Sequence, residues 1–171
     1  MRISPWLSTD RLELWRPLEE DTGAALDMMS NDDVVHHNPS DRVTDIDGAR
    51  QVVHRWIRHW DQHDFGYACV RRSGESTVVG FCGVVWTPRR DMVNLMYRFD
   101  PGAWGRGFAT EAAGAATRWA LTNLPGTVVI GRVRPLNTAS RRVLEKIGLK
   151  RAVHLDDVGD DGPDLLFSSE T

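Results

Sequence analysis

Residues 104–110, Trp-Gly-Arg-Gly-Phe-Ala-Thr, join two segments of different periodicity. Ahead of them Val93, Leu95, Tyr97 and Phe99 recur at every second position, the period of a strand with one covered face. Behind them an alanine-rich run over 109–121 has the composition of a helix. A strand that enters a glycine-rich turn and leaves as a helix bares the helix's first N–H groups, which carry the positive end of its dipole. Glycines let a backbone approach an anion with no Cβ in between. The turn is either a plain connection or a phosphate cradle, and a short glycine pattern leaves both open. Two familiar phosphate loops do not fit. A P-loop needs a lysine that this turn lacks, and Gly-x-Gly-x-x-Gly counted from Gly105 and Gly107 ends on Thr110 instead of glycine.

The remaining chain sets bounds. At 171 residues, with 41% hydrophobic and 26% charged residues, it reads as one soluble domain over 1–171 with a substantial core. A net charge of −3 argues against a nucleic-acid partner. No stretch has the length of a membrane span. Thr9-Asp10-Arg11 follows the first residues too soon for a signal-type apolar region. Cys69 and Cys82 lie in strand-like runs and read as reduced core residues of a cytoplasmic protein, not as a disulfide or metal pair. No metal site is expected.

In chain order, residues 11–16 alternate as a strand, and 19–30 carry Ala24, Ala25, Met28 and Met29 at helical spacing. A loop containing His36 and His37 follows. Thr44 or Asp45 caps a second helix whose stripe is Ile46, Ala49, Val52, Val53, Trp56, Ile57 and Trp60. Its other face, with Arg50, His54, Arg55, Arg58 and His59, reads as solvated. Residues 66–72, 77–87 and 92–99 form an antiparallel meander with turns at 73–76 and 88–91. After the helix from Phe108, residues 127–133 read as a buried strand parallel to 92–99, because a helix joins the two. Asn137 opens a helix that stops at Gly148. Two weaker strands, about 150–158 and 164–169, close the chain.

Two motifs carry a resemblance. Trp104-Gly105-Arg106-Gly107-Phe108-Ala109 resembles the acyl-coenzyme-A loop of the GNAT superfamily of N-acetyltransferases, in the form found in the RimJ/RimL-type branch. Its first position departs from the general Arg/Gln of that pattern. Residues 137–149, Asn-Thr-Ala-Ser-Arg-Arg-Val-Leu-Glu-Lys-Ile-Gly-Leu, resemble the family's Asn-x-x-Ser-x-Arg-Val-Leu-Glu-Lys-x-Gly-Phe segment. Each follows a strand and opens a helix. The resemblance implies an α/β (α+β) fold with a mixed sheet of about six to seven strands and about four helices. It implies acetyl-coenzyme A as co-substrate, another acyl-coenzyme A being an alternative. The activity implied is N-acetylation of a primary amine on a peptide N-terminus or a small molecule, by a monomer or homodimer. A non-catalytic acyl-coenzyme-A-binding module on the same fold is the alternative.

The resemblance also assigns roles. Trp104, Gly105, Arg106, Gly107, Phe108, Ala109 and Thr110 would meet the pyrophosphate, and Tyr97, Arg98 and Phe99 the pantetheine arm. Asn137, Ser140 and Arg142 would add contacts, with Asn137 also a natural helix cap. Tyr97 shares the parity of Leu95, so its side chain reads as core. Ser140 matches the proton donor proposed for RimL-like enzymes, although serine is a weak acid. Asn94 stands where many relatives carry a glutamate base, and an amide cannot take a proton. Asp91, His36 or His37 are possible stand-ins. His36, His37, Trp86 and Asp91 are the acceptor-side candidates, and Asp156, Asp157, Asp160 and Asp161 read as a solvated turn.

Overall fold

The computed structural model describes residues 3–89 and 91–170. The expectations that touch Met1, Arg2, Arg90 and Thr171 lie outside the described residues. Among the described residues nine strands form one open sheet: β1 (Leu7–Ser8), β2 (Leu12–Trp15), β3 (Tyr67–Arg72), β4 (Val78–Trp86), β5 (Met92–Phe99), β6 (Val128–Val133), β7 (Lys150–Arg151), β8 (Asp157–Gly159) and β9 (Gly162–Ser168). Their order is β1-β2-β3-β4-β5-β6-β9-β7, with β8 added to β9. Among the described residues only β5 and β6 run parallel, as the intervening helix dictates, and every other pair is antiparallel. The helices are α1 (Thr22–Met29), α2 (Asp32–Val35), α3 (Ile46–His63), α4 (Phe108–Asn123) and α5 (Thr138–Lys146).

The strand and helix counts exceed the sequence expectation for local reasons. Leu7 and Ser8 pair with Leu14 and Glu13 because the chain doubles back through Thr9, whose side chain bonds Leu12. Two residues are too few for an alternation to register. The loop after α1 contains α2, capped by Asn31 accepting from the Asp33 N–H at 2.9 Å. The expected strand over 150–158 breaks into β7, a 3-10 turn at Val153–Leu155 and β8. Arg151 clamps Asp156 across that turn.

The sheet is covered on both faces. Ala25, Met28, Val52, Val53 and Trp56 from α1 and α3 pack over Cys69 and Phe81. Ala112, Ala113, Ala116 and Ala120 of α4 are fully buried on the opposite face with Cys82, Val84, Val93 and Leu95. Small side chains bring α4 close to β4 and β5. Each large apolar side chain so buried contributes about 1.5–3 kcal/mol relative to exposure. Cys69 and Cys82 belong to opposite faces of the sheet, which rules out a bond between them.

One position on α3 departs from its expected solvated face. His59 Nδ1 donates to the Phe65 carbonyl at 2.8 Å, and its Nε2 accepts the Trp86 N–H at 3.2 Å. A carbonyl only accepts and a backbone N–H only donates, so this ring is neutral with its proton on Nδ1. Burial lowers its pKa most, the Phe65 carbonyl raises it and His63 lowers it again, leaving it below 6.5. As pH falls, the unfolded chain takes up this proton first. The contribution to stability is therefore complete above about pH 6.5 and declines as pH drops toward the folded value. Urea midpoints at pH 7.5 and 5.5 are expected to fall less in His59→Phe than in the wild type. Equal falls would remove His59 from the pH response.

Candidate active site

The β5–β6 ladder runs from Met92↔Val128 to Leu95↔Gly131 and ends there. Beyond it β5 continues to Phe99 while β6 pairs on its other side with β9. The two strands part, and the opening lies at the waist of a cleft of about 1040 Å³. Tight packing anchors the fork: a Cβ on Gly131 would come within 2.4 Å of the Leu144 side chain, so α5 sits directly against β6. Met96, Tyr97, Arg98 and Phe99 line the opened stretch, facing Arg132 and Val133.

The first end of the cleft is the turn before α4. Gly105 and Gly107 adopt φ of +73° and +77°, and Gly107 is the N-cap of α4. Those left-handed conformations turn successive N–H groups to one side. Among the described residues, nothing accepts the N–H groups of residues 105–110. With α4's dipole behind them, they have the partial positive character that suits an anion. Trp104 stands at its lip, half exposed, its Nε1 donating to the Phe99 carbonyl at 2.9 Å. Gly105, Gly107, Phe108, Ala109 and Thr110 line the cleft; Arg106 is exposed beside it.

A clamp that sequence reasoning missed fixes this turn from behind. Glu111, in the first turn of α4, accepts from Thr9 Oγ1 at 2.6 Å, the Arg11 N–H at 3.0 Å and Arg11 Nε at 2.7 Å. Arg11 Nη1 then donates to the Arg106 carbonyl at 2.9 Å, while its guanidinium lies 4.8 Å from the Phe108 ring centroid. The signal was the charge pattern Thr9-Asp10-Arg11 one hundred residues away, which no local periodicity connects to α4.

At the waist, Asn137 caps α5 by accepting the Ser140 N–H at 3.0 Å. Tyr97 reaches across the fork: its hydroxyl donates to the Ser140 carbonyl at 2.8 Å and lies 2.7 Å from Ser140 Oγ. Burial raises the Tyr97 pKa, and the Ser140 hydrogen bond only partly offsets that. The hydroxyl is thus held protonated. Parity alone placed Tyr97 in the core; its ring is there, but its polar end joins Ser140 in the cleft. Arg142 is exposed and does not line the cleft.

On the far face, Asn94 Nδ2 donates to the Tyr67 hydroxyl at 2.9 Å. Burial pushes the Tyr67 pKa up to about 12. His36 and His37 line this end, their rings 4.9 Å apart and edge-on. Burial, then His36 and Arg134, hold the His37 pKa below 6.5, so the ring is largely neutral at pH 7. Two candidates lie elsewhere. Trp86 points to the α4 face against Phe65, 5.8 Å between centroids, because it shares the parity of Cys82 and Val84 on β4. Asp91 sits in the β4–β5 turn, ion-paired with Arg89 at 3.0 Å. Neither lines the cleft. Asp156 and Asp157 pair with Arg151 and Arg132, and Asp161 binds Ser40, fastening the last hairpin to the loop after α2.

Residues 11–150 match the acetyltransferase (GNAT) domain. The chain belongs to that family. It is 28% identical over 157 residues to FsC-acetyl coenzyme A-N(2)-transacetylase of Aspergillus fumigatus, covering 87% of this chain and 66% of that protein. Its structure resembles an acetyltransferase of Agrobacterium tumefaciens, with a TM-score of 0.81 and 26% identity over 96% of this chain and 94% of the other. It also resembles RimL, a ribosomal L7/L12 alpha-N-protein acetyltransferase solved with coenzyme A. The TM-score there is 0.75 at 16% identity, over 96% and 97% of the two chains.

Proposed function

We propose that this chain transfers the acetyl group of acetyl-coenzyme A to a primary amine, preferring an α-amine at a peptide or protein N-terminus. The observation that carries this is the cleft passing through the fork of β5 and β6. An anion cradle lies at one end, a paired Tyr97–Ser140 hydroxyl system at the waist, and an open pocket at the other end. The loop amides suit a pyrophosphate, and the Asn137-capped start of α5 borders the arm that follows it. Backbone freed past Leu95 offers N–H donors to a tetrahedral oxyanion. The amine nitrogen attacks the thioester carbon, the C–S bond breaks, and the amine gives up a proton to water. The Tyr97–Ser140 pair supplies a proton to the departing sulfur and regains one from solvent, the Tyr97 hydroxyl being held protonated by burial.

The preference for an α-amine follows from Asn94. No carboxylate stands at that place on β5, so the nucleophile has to arrive neutral or lose its proton to solvent or to the neutral His37. An α-amine of pKa about 8 is roughly one-tenth neutral at pH 7; a lysine of pKa about 10.4 is less than one-thousandth neutral. The buried thiols on opposite sheet faces fit a cytoplasmic setting. Incubation with acetyl-coenzyme A and two peptides, one with a free α-amine only and one with a free lysine only, tests the reading by mass spectrometry. Acetylation of the first is expected to be at least about tenfold faster. Faster lysine acetylation would overturn the preference, and no release of free thiol with any amine would overturn the transferase reading.

A further inference from the structure

The pocket on the α1–α3 face carries information about what the amine is attached to. One wall is apolar, formed by Met29, Val34, Val52, Trp56 and Met96, and His36, His37 and Asn38 line the other side. Its polar floor is the Asn94–Tyr67 pair. The Tyr67 ring stands edge-on to Trp56, 6.0 Å between centroids, and has to cross β4 to reach Asn94 on β5. The residue of β4 opposite both Tyr67 and Met96 is Gly83. A Cβ there would meet the Gly66 carbonyl oxygen at 2.1 Å, so the strand is bare where the ring passes.

Asn94 Oδ1 is buried and has no hydrogen-bond partner among the described residues. Its amide is held by Nδ2 donating to Tyr67, which leaves the carbonyl oxygen unsatisfied. A buried acceptor of this kind is costly until a donor arrives. The charges nearby do not suit a polycation. Asp41 is taken by Arg98 at 2.6 Å, and Asp164 by Arg134 at 3.4 Å and Arg132 at 3.6 Å. Asp33 and Arg55 both line the cleft and are exposed, so the carboxylate there is accompanied by a cation.

We infer that the acceptor is a primary amine flanked by one apolar or aromatic group and lacking a second cation. Its N–H is held by Asn94 Oδ1, and Tyr67 acts as a positioning residue that orients the amide. This rests on the acetyltransferase reading above. The apolar group occupies the space between Trp56 and Met96, and the nitrogen lies toward the fork. A free arylalkylamine and a peptide beginning with a large apolar residue share this chemistry.

The test uses the full chain with acetyl-coenzyme A and follows free thiol. The acceptors are 2-phenylethylamine, a phenylalanine-initiated tripeptide, a glycine-initiated tripeptide, 1,4-diaminobutane and spermidine. At least one phenyl-bearing acceptor is expected to exceed the diamine and spermidine by about tenfold or more in kcat/KM, the discrimination of an apolar pocket. Which of the two leads separates small molecule from peptide. Asn94→Leu and Tyr67→Phe are expected to raise the KM for the phenyl-bearing amine about tenfold. Both should leave the calorimetric Kd for acetyl-coenzyme A unchanged. Asn94→Asp, which keeps an acceptor oxygen, should restore much of the loss. Turnover favouring the diamine or spermidine, or an unchanged amine KM in both variants, overturns the inference while leaving the transferase intact. Bound acetyl-coenzyme A with no thiol released from any amine overturns both.

Discussion

Gly107→Val is expected to weaken acetyl-coenzyme A binding by about 100-fold, read by calorimetric titration, while the chain still folds. Gly107 caps α4 at φ +77°, a conformation that costs an L-residue roughly 1–2 kcal/mol and a β-branched one more. The position is exposed, and an added Cβ meets nothing nearer than Arg11 Nη2 at 3.5 Å. The penalty is therefore conformational and not steric, and the chain can relieve it by rotating the peptides on either side. Rotation turns N–H groups out of the cradle. Hydrogen bonds to a charged partner contribute about 1.5–3 kcal/mol each, so losing one or two of them accounts for the expected factor. Gly107→Ala should fall between the two. An unchanged Kd in the valine variant would mean that the turn does not hold the phosphates.

Glu111→Ala is expected to raise the KM for acetyl-coenzyme A about tenfold with kcat within about twofold, and to lower Tm by about 3–10 °C. The carboxylate never touches the ligand in this scheme. It collects Thr9, the Arg11 N–H and the Arg11 guanidinium, and Arg11 in turn holds the Arg106 carbonyl away from the cradle. Removing it takes the acceptor from three donors, of which Thr9 Oγ1 keeps only the Leu12 carbonyl at 3.2 Å, and frees the loop. Burial pushes the Glu111 pKa up, but the bonds from Thr9 and Arg11 together bring it below 4.5. Its stabilising effect is thus present above the unfolded value and is lost as pH falls through the folded one. Glu111→Gln keeps one acceptor and should recover part of the affinity. A stability loss with no change in KM would leave the clamp a purely structural device.

Much of this was legible in the sequence wherever a local pattern has one physical solution. The strand from Met92 to Phe99 matched its expected bounds, because alternation and flanking turns agree there. The α5 cap at Asn137 was readable from residue type alone, whereas residue type narrowed the α3 cap only to Thr44 or Asp45, of which Asp45 holds it. The parallel β5–β6 pair followed from the helix between them. What escaped reading depends on distance in the chain. Nothing near Glu111 points to Thr9 and Arg11, and nothing near His59 announces that its ring will bridge Phe65 and Trp86. Trp86 and Asp91 are acceptor-side candidates by family resemblance, whereas strand parity and a neighbouring arginine decide where they point. Asn94 was read as a missing base; only the fold brings Tyr67 beside it.

The parting of β5 and β6 past Leu95 and Gly131 has a consequence for traffic through the protein. In the proposed reaction one reactant would arrive over α4 and α5 and the other over α1 and α3, meeting where the sheet is open. Neither would have to vacate its seat for the other, and the proposed transfer would then run straight from donor to recipient without ever resting on the polypeptide.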